Sequence, residues 1–262
     1  MHDVLDEIKG ALELEIALSG PTVPVEPTVV SEASPLTSTS PAPAAAPPGE
    51  NNTETTDRFN ALIEAGSPLH KFGDLAAVEK WVANTVLIPL DEVRQKPVFG
   101  VGNPEADLMI IGEAPGADED RQGEPFVGRA GQLLTKILAA IGFARSDVYI
   151  ANILKSRPPN NRDPLPAEVA AHIPILFKQI ALIRPRVILC VGKTAGNSLL
   201  QKKGSLKALR GEFHDFHGVP VMVTYHPAAL LRNPEWKKAT WEDVQKLRDH
   251  HDQLTGAGAT SY

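Results

Sequence analysis

Four short apolar runs divide the central part of the chain, and a polar loop follows each of them. The runs contain mainly aliphatic and β-branched residues with little polar alternation, which is typical of strands that are buried on both faces. They are ADLMIIG (106–112), DVYIANIL (147–154), RVILCVG (186–192) and VPVMVTYH (219–226). We therefore predict four strands of one sheet.

Segments with apolar residues at helical spacing lie before, between and after these runs. They cover residues 59–69, 76–87, 130–142, 166–183, 194–201 and 240–254. Alternation of strands and helices predicts an α/β fold, a three-layer α/β/α arrangement with a central, mainly parallel four-stranded sheet. Ligands of such sheets bind beyond the carboxyl ends of the strands, so the loops after the four runs form one candidate site.

The chain before this region has a different composition. Residues 21–57 are rich in Pro, Ala, Ser and Thr and contain no aromatic residue, so they cannot recover their ordering entropy and are predicted to be a disordered linker. Residues 1–20 have apolar positions at near-helical spacing, which predicts a short amphipathic helix. This helix is either solvated without a separate function or a docking peptide for an unknown protein partner. The predicted α/β domain covers residues 58–255, followed by a flexible tail at residues 256–262.

Charge and cysteine content narrow the possible functions. The 262 residues carry a net charge of -6, but residues 1–57 hold ten acidic residues and one lysine, which leaves 25 basic and 22 acidic residues in the rest. A mildly basic domain is compatible with a polyanionic partner. The acidic N-terminus and the lack of a long apolar run predict a cytoplasmic protein without a membrane span. The single cysteine, Cys190, falls in a predicted strand and excludes an intramolecular disulfide and a multi-cysteine metal site.

The four strand-end loops together carry a set of polar residues that none of them explains alone. They are GEAPGADEDRQGEPFVG (112–128), NILKSRPPNNRDP (152–164), GKTAG (192–196) and HPAALLRNP (226–234). Their order and spacing over residues 97–254 resemble the uracil-DNA glycosylase superfamily, and most closely its family 4, the iron-sulfur type. The segments GEAPGADEDRQGEPFVG, YIANILKSRPPNNRDPLP and YHPAALLRNP carry the resemblance.

The resemblance implies a monofunctional uracil-DNA glycosylase of base excision repair. Such an enzyme hydrolyses the N-glycosidic bond of a deoxyuridine flipped out of DNA and leaves free uracil and an abasic site. We expect a monomer whose partners are uracil-containing DNA and the uracil product. The alternative is a non-catalytic relative that only binds uracil-containing or abasic DNA. A nucleotide-binding protein of another class is disfavoured, because GKTAG and GVGNPEADLMIIG lack the phosphate-binding spacings.

The resemblance also assigns roles in the uracil pocket. Phe126 is the stacking plate, and the amide of Asn152 recognises the hydrogen-bonding edge of uracil. His226 donates a hydrogen bond to the departing uracil anion, and backbone N–H groups around Glu113 and Ala114 add to the same anion hole.

The group that activates water stays open at this stage. The candidates are Glu113, Glu119 and Asn161, because the related families that place an aspartate just after the equivalent of Glu113 have Ala114 here. Glu119 is also expected to line the uracil pocket, and Asn161 to contact water or substrate.

Contacts with DNA are assigned to two loops. Leu230 and Leu231 are predicted to lie exposed after His226 and to wedge into the gap left by a flipped base. The residues predicted to contact phosphates are Lys155, Arg157, Arg162 and Arg232.

The sequence departs from family 4 where that family holds its iron-sulfur cluster with four cysteines. The corresponding positions are Thr85, Ile88, Ser156 and either Ala171 or His172. Thiolates hold such clusters, so we predict no cluster, no metal and no other cofactor. Leu87, Ile88 and the proline-rich loop are expected to fill the space of the cluster by packing.

Overall fold

The computed structural model describes residues 52–256. The predicted N-terminal helix, the linker up to residue 51 and the tail from residue 257 lie outside the described residues. The first described element, helix α1, covers Asn52–Asn60. The Thr56 hydroxyl donates to the carbonyl of Ala181 at 3.1 Å, and Phe59 is fully buried. The predicted linker boundary at residue 57 is therefore wrong, because α1 packs as part of the domain.

The remaining helices alternate with the strands as predicted, with several short ones added in the loops. The α-helices are α2 (Leu75–Ala83), α3 (Pro89–Glu92), α4 (Ala117–Gln122), α5 (Arg129–Ala140), α6 (Pro166–Ile183), α7 (Lys193–Leu200), α8 (Leu206–Leu209), α9 (Pro227–Arg232) and α10 (Lys237–Thr255). Short 3-10 helices cover Pro68–Lys71, Pro159–Asn161 and Pro234–Trp236.

The sheet contains the four predicted strands and two short strands that were not predicted. The strands are β1 (Val101–Gly102), β2 (Leu108–Gly112), β3 (Tyr149–Asn152), β4 (Val187–Val191), β5 (Phe213–Phe216) and β6 (Val219–Thr224). Their order is β1-β3-β2-β4-β6-β5, and the four predicted strands are parallel. Strands β1 and β5 are antiparallel additions at the edges, so the four-stranded prediction undercounts the sheet by these two strands.

Two apolar layers cover the sheet, and alternate residues of each strand point into one or the other. On β2, Met109 and Ile111 pack with α1, α2, α6 and α7, whereas Leu108 and Ile110 pack with α5 and α10. All five residues of β2 and of β4 are buried, as expected for parallel strands covered on both faces. The predicted three-layer α/β/α fold is confirmed.

Helix α6 is the one helix of the described region that is long and apolar enough to cross a membrane by length and composition. Most of its apolar side chains pack in the core of this domain, which explains its composition. Cys190 lies fully buried in β4, as predicted. Because β2, β3, β4 and β6 are parallel, their carboxyl ends meet at one edge of the sheet, where Gly112 lies in register with Asn152.

Candidate active site

The side chain of Asn152 lies at the end of β3, over the backbone of Gly112. Asn152 is 2% exposed, and its Oδ1 has no hydrogen-bond partner among the described residues. A Cβ atom at Gly112 would collide with Asn152 Oδ1 and would lie 2.6 Å from Cζ of Phe126. A buried acceptor without a partner costs free energy, so this amide is arranged to meet a donor from outside the protein. Gly112 was not singled out in the sequence, although a glycine that ends an apolar strand signals close backbone approach.

The ring of Phe126 lies beside Asn152, over the same backbone of Gly112. Phe126 is 7% exposed and has a left-handed backbone with φ 55°, a conformation that costs free energy for a residue with a side chain. Its ring stacks on the ring of His226, with centroids 5.5 Å apart and planes at 29°. The structure therefore brings the predicted stacking residue and the predicted histidine together beside Asn152.

The carboxylate of Glu119 holds the loop that carries Phe126. Its Oε1 accepts hydrogen bonds from the backbone N–H groups of Val127 and Gly128, at 2.9 and 3.1 Å. Its Oε2 accepts from the N–H of Gly116 at 3.1 Å. Both oxygens thus hold the backbone on either side of this loop, and a role of Glu119 toward a catalytic water stays a prediction.

His226 caps the N-terminus of α9. Its Nδ1 accepts a hydrogen bond from the N–H of Ala228 at 3.1 Å, so in the neutral ring the proton resides on Nε2. Burial, and to a smaller extent the nearby charge of Arg232, lower the pKa of His226 to about 4, against a smaller opposing effect of Glu119. The imidazole is therefore neutral at physiological pH and offers a single N–H donor.

Glu113 follows β2 and is half-buried. Burial raises the pKa of its carboxyl above the ordinary value, and a hydrogen bond with Thr194 opposes this rise. Asp163 raises the pKa further by repulsion, whereas Lys193 lowers it. Neither Lys193 nor Thr194 was predicted, because GKTAG only reads as a helix start. Next to Glu113, Ala114 is half-buried and packs against the apolar core.

Asn161 lies apart from this group in the exposed 3-10 helix that follows β3. Its Oδ1 accepts from Nε of Arg157 at 2.7 Å. Within the described region, no hydrogen bond joins it to Asn152, Phe126 or His226. The predicted contact of Asn161 with water or substrate stays a prediction.

The predicted DNA-contacting residues divide into exposed and buried ones. Lys155 is fully buried, so its prediction as a phosphate contact is wrong. Leu230 is 1% exposed and packs in the core beside α5, so it cannot be an exposed wedge. Leu231 is 40% exposed, and Arg232 is exposed at the end of α9. The sequence pattern of two adjacent leucines did not reveal that the turn of α9 sends them to opposite sides.

Arg157 and Arg162 lie on the loop after β3. Arg157 is half-buried, and Arg162 is exposed. Arg162 forms a bidentate ion pair with Glu168, in which Nη1 donates to Oε2 at 2.9 Å and Nη2 donates to Oε1 at 2.6 Å. Its charge is already partly compensated, which makes it a weaker candidate for phosphate than Arg157 or Arg232.

The positions expected to match cluster ligands surround a buried polar network centred on Asp91. Asp91 Oδ1 accepts from the hydroxyl of Ser156 at 2.5 Å and lies 3.1 Å from Nε2 of His172. The same atom accepts from Arg94 at 3.1 Å. Burial alone would raise the pKa of Asp91, but hydrogen bonds from His172 and Ser156 hold it well below its usual range.

Arg94 extends this network to the end of α2. Its guanidinium donates to the carbonyls of Val82 and Thr85, at 2.7 and 3.0 Å, and to the hydroxyl of Ser156 at 3.2 Å. The Thr85 hydroxyl donates to a carbonyl of its own helix. The side chains in this region therefore bond to one another and include no thiolate, and they do not fit an iron-sulfur cluster.

The expectation that apolar packing replaces the cluster is wrong in part. Leu87 is 39% exposed, and Ile88 only partly packs against the core. Asp91 and Arg94 hold the region instead. Sequence reasoning missed this pair, because DEVR has the pattern of an ordinary solvated helix turn.

The fold and this edge of the sheet together define an α/β/α protein in which Asn152, Phe126 and His226 lie close together, and we call this group the candidate pocket. A stacking plate, an unpaired amide and a neutral imidazole N–H are the groups that recognise a nucleobase outside a duplex. The chain belongs to the uracil DNA glycosylase superfamily, whose family profile matches residues 99–245.

Curated relatives agree with this assignment. A Type-4 uracil-DNA glycosylase of Archaeoglobus fulgidus is 43% identical over 166 residues, which cover 60% of this chain and 83% of the relative. A protein of the same name from Thermotoga maritima is 43% identical over 175 residues, covering 65% of this chain and 91% of the relative. A Type-5 uracil-DNA glycosylase of Pyrobaculum aerophilum is more distant, at 33% over 155 residues.

Proposed function

We propose that the protein is a monofunctional uracil-DNA glycosylase that hydrolyses the N-glycosidic bond of a flipped-out deoxyuridine and works without an iron-sulfur cluster. The observation that carries the proposal is the buried, unpaired amide oxygen of Asn152 beside the stacked rings of Phe126 and His226. The Type-4 enzymes that resemble this chain support the same activity.

Recognition of uracil follows from the polarity of one amide. Uracil presents O4 as an acceptor and N3–H as a donor, so Asn152 Nδ2 donates to O4 while Oδ1 accepts from N3–H. Cytosine presents the opposite pattern and would leave two buried groups unpaired, which costs about 1–3 kcal/mol each. Phe126 stacks on the face of the base and favours a planar ring irrespective of its edge.

Departure of the base is assisted by His226. When the C1′–N1 bond breaks, its electron pair moves to uracil, and negative charge develops mainly on O2. The Nε2–H of the neutral His226 donates a hydrogen bond to this oxygen, and backbone N–H groups near Glu113 and Ala114 support it. The imidazole acts as a hydrogen-bond donor and does not transfer its proton.

Water addition completes the reaction, and Glu113 is the candidate that the site leaves available. The carboxylate of Glu119 accepts three backbone hydrogen bonds, and Asn161 pairs with Arg157. In its ionised form Glu113 accepts a proton from the water whose oxygen bonds to C1′, and it also stabilises the positive charge on the sugar. The raised pKa of Glu113 makes it a stronger base.

The buried network of Asp91, Arg94, Ser156 and His172 supports a cluster-free enzyme. It connects α2, α3, the loop after β3 and α6, which are the segments that carry the expected ligand positions. We propose that these hydrogen bonds tie the segments together in place of a cluster. Iron analysis and visible absorption of the protein, purified both with and without air, test this point. Stoichiometric iron in the anaerobic sample would contradict it.

We propose that DNA is bound by residues of the loops after β3 and β6 that are exposed or half-buried. Leu231 is the remaining apolar candidate for the gap left by the base, and Arg232 and Arg157 are the cations near the phosphates. We further propose a monomer that acts in the cytoplasm, and a protein partner for the N-terminal segment remains a prediction.

A nicking assay tests the activity. The protein is incubated with a labelled oligonucleotide that contains one uracil, and alkali then cleaves any abasic site. We expect strand breaks with the wild type, and losses of roughly 100-fold or more with Asn152→Ala and His226→Ala. An identical oligonucleotide with cytosine is the substrate control. A wild type that binds the uracil strand but yields no breaks would establish the non-catalytic alternative instead.

A further inference from the structure

The ammonium group of Lys155 is enclosed beneath the end of β3. Lys155 is fully buried, and its Nζ donates to the carbonyl of Asn152 at 2.8 Å. It also donates to the side-chain oxygen of Gln179 at 2.6 Å and to the carbonyl of Phe99 at 3.1 Å. Each of its three protons therefore has an acceptor, and one acceptor is the backbone of the residue that faces the base.

Hydrogen bonds hold both the N–H and the carbonyl of Lys155, so its side chain extends to Asn152 from a fixed backbone. Its N–H donates to Nδ1 of His172 at 3.0 Å, and its carbonyl accepts from the N–H of Val98 at 2.9 Å. Gln179 is held in turn, since its Nε2 donates to the carbonyl of Phe99.

Burial of the Lys155 ammonium costs more free energy than burial of an apolar side chain at the same position would. No carboxylate bonds to Nζ among the described residues, and the positive charge is surrounded by neutral acceptors. Burial lowers the pKa of Lys155 to about 7, which shows how strongly the site disfavours the charge. An apolar side chain would fill the same space without this cost.

We propose that Lys155 is a positioning residue for base recognition, whose ammonium fixes the backbone of Asn152 and thereby the direction of the Asn152 amide. The inference rests on the proposed function. Asn152 Oδ1 has no hydrogen-bond partner within residues 52–256, so the direction of the amide depends on a fixed main chain. A displacement of about 1 Å in such a group lowers rates by up to roughly 100-fold.

A double-mutant cycle on the uracil nicking assay tests the proposal. The four proteins are the wild type, Lys155→Met, Asn152→Ala and the double variant, compared by single-turnover rate and by inhibition with free uracil. We expect Lys155→Met to lower the rate roughly 10- to 100-fold. In the Asn152→Ala background the same change should have almost no further effect, because the amide that Lys155 positions is gone.

Lys178→Met is the matched control for the loss of a buried lysine. Lys178 is 3% exposed and donates to the side chain of Asn60, away from the pocket. Its replacement should change the melting temperature but not the rate measured at temperatures where the protein is folded.

Gln179→Met is the second variant, for the case that Lys155→Met does not fold. It keeps the lysine and removes one of the acceptors of its ammonium group. We expect this variant to show the same dependence on Asn152 with a loss of a few-fold.

The outcomes separate this proposal from the proposed function. A wild type without activity overturns both. An active wild type with equal losses from Lys155→Met, or from Gln179→Met, in both backgrounds overturns the positioning role alone. Unchanged activity in Lys155→Met also overturns it.

Discussion

Two of the buried polar groups of the described domain, one around Asp91 and one at the end of β3, differ in whether their hydrogen bonds are satisfied within the described residues. Around Asp91, the carboxylate, the guanidinium of Arg94 and the hydroxyl of Ser156 all bond to one another. At the end of β3, Oδ1 of Asn152 is buried without a hydrogen-bond partner in the part of the chain that the structure describes. A satisfied cluster stabilises the fold, whereas an unsatisfied one lowers stability and gains its partner from a ligand.

The pKa directions express the same difference. Hydrogen bonds keep Asp91 ionised although it is buried. In the pocket, burial dominates, since it raises the pKa of Glu113 and lowers that of His226 to about 4. Both shifts oppose charge, so the pocket disfavours charged forms of its own side chains. We therefore expect changes in the first cluster to alter stability and changes in the second to alter activity.

The largest effect is expected from Asp91→Ala. Removal of this carboxylate leaves the charge of Arg94 buried, which costs about 3–5 kcal/mol of unfolding free energy. The rate should change little at temperatures where the variant is folded. Urea unfolding followed by circular dichroism measures the loss, and the nicking assay measures the rate.

Asp107→Ala is the control for the loss of an ion-paired aspartate. Asp107 pairs with Arg186 at 3.0 Å, and both side chains are 47% exposed. Its loss should cost less than about 1 kcal/mol. Equal costs for Asp91→Ala and Asp107→Ala would show that the buried network does not hold the domain together.

His226→Ala should lower the rate strongly and the stability only slightly, in contrast to Asp91→Ala. Loss of one donor to a developing anion lowers the rate about 100- to 1000-fold, or roughly 2.7–4 kcal/mol. Stability should fall by no more than about 1 kcal/mol, since the hydrogen bond to Ala228 is the cap that is lost. Single-turnover rates and urea unfolding of the same preparation separate the two quantities. His70→Ala, at an exposed histidine outside the pocket, should leave both unchanged.

Gly112→Ala should affect both quantities, because it overlaps the unpaired amide. The new methyl group meets Asn152 Oδ1 and the ring of Phe126, and overpacking of this kind costs about 1–3 kcal/mol. The rate for uracil should fall along with stability. Gly66→Ala adds the same methyl group where no atom lies within 4 Å, and it should be silent. A fully active Gly112→Ala would show that the amide and the ring have room to move.

The sequence predicted the features that depend on local pattern. Apolar runs and helical spacing predicted the four parallel strands and the three layers, and the location of Asn152, Phe126 and His226 in loops that follow strands predicted that they lie at one edge of the sheet. Strands β1 and β5 were missed because they are short edge strands, and Val101–Gly102 has only two residues. Their pairing depends on tertiary contacts that a local pattern does not contain.

The errors in the site share one cause, which is that burial cannot be read from residue type. Lys155 looked like a phosphate contact in a basic loop, and it is buried by contacts from α6 that are distant in sequence. Leu230 looked exposed in a motif loop and packs in the core. The pairing of Asp91 with Ser156 joins positions 65 residues apart, which no local motif reveals.

The smallest effect is expected in the pH dependence of the rate, and it distinguishes the two titratable groups of the pocket. Glu113 has a raised pKa, so as the pH falls its carboxylate is lost at a higher pH than an ordinary glutamate would be, and the wild-type rate should decline there. His226 stays neutral until about pH 4, so it should add no step near its ordinary value of 6.5. Glu113→Gln should therefore abolish the acid decline in its residual activity.

The stability of the fold should also depend on the protonation of His226. Between pH 6.5 and about 4 the folded state binds fewer protons at His226 than the unfolded chain does, so the free energy of unfolding should decrease as the pH falls through that window. Rates and urea midpoints measured at matched pH values test both statements. A step near pH 6.5 that persists in Glu113→Gln and disappears in His226→Ala would show that the histidine, and not the glutamate, controls the rate.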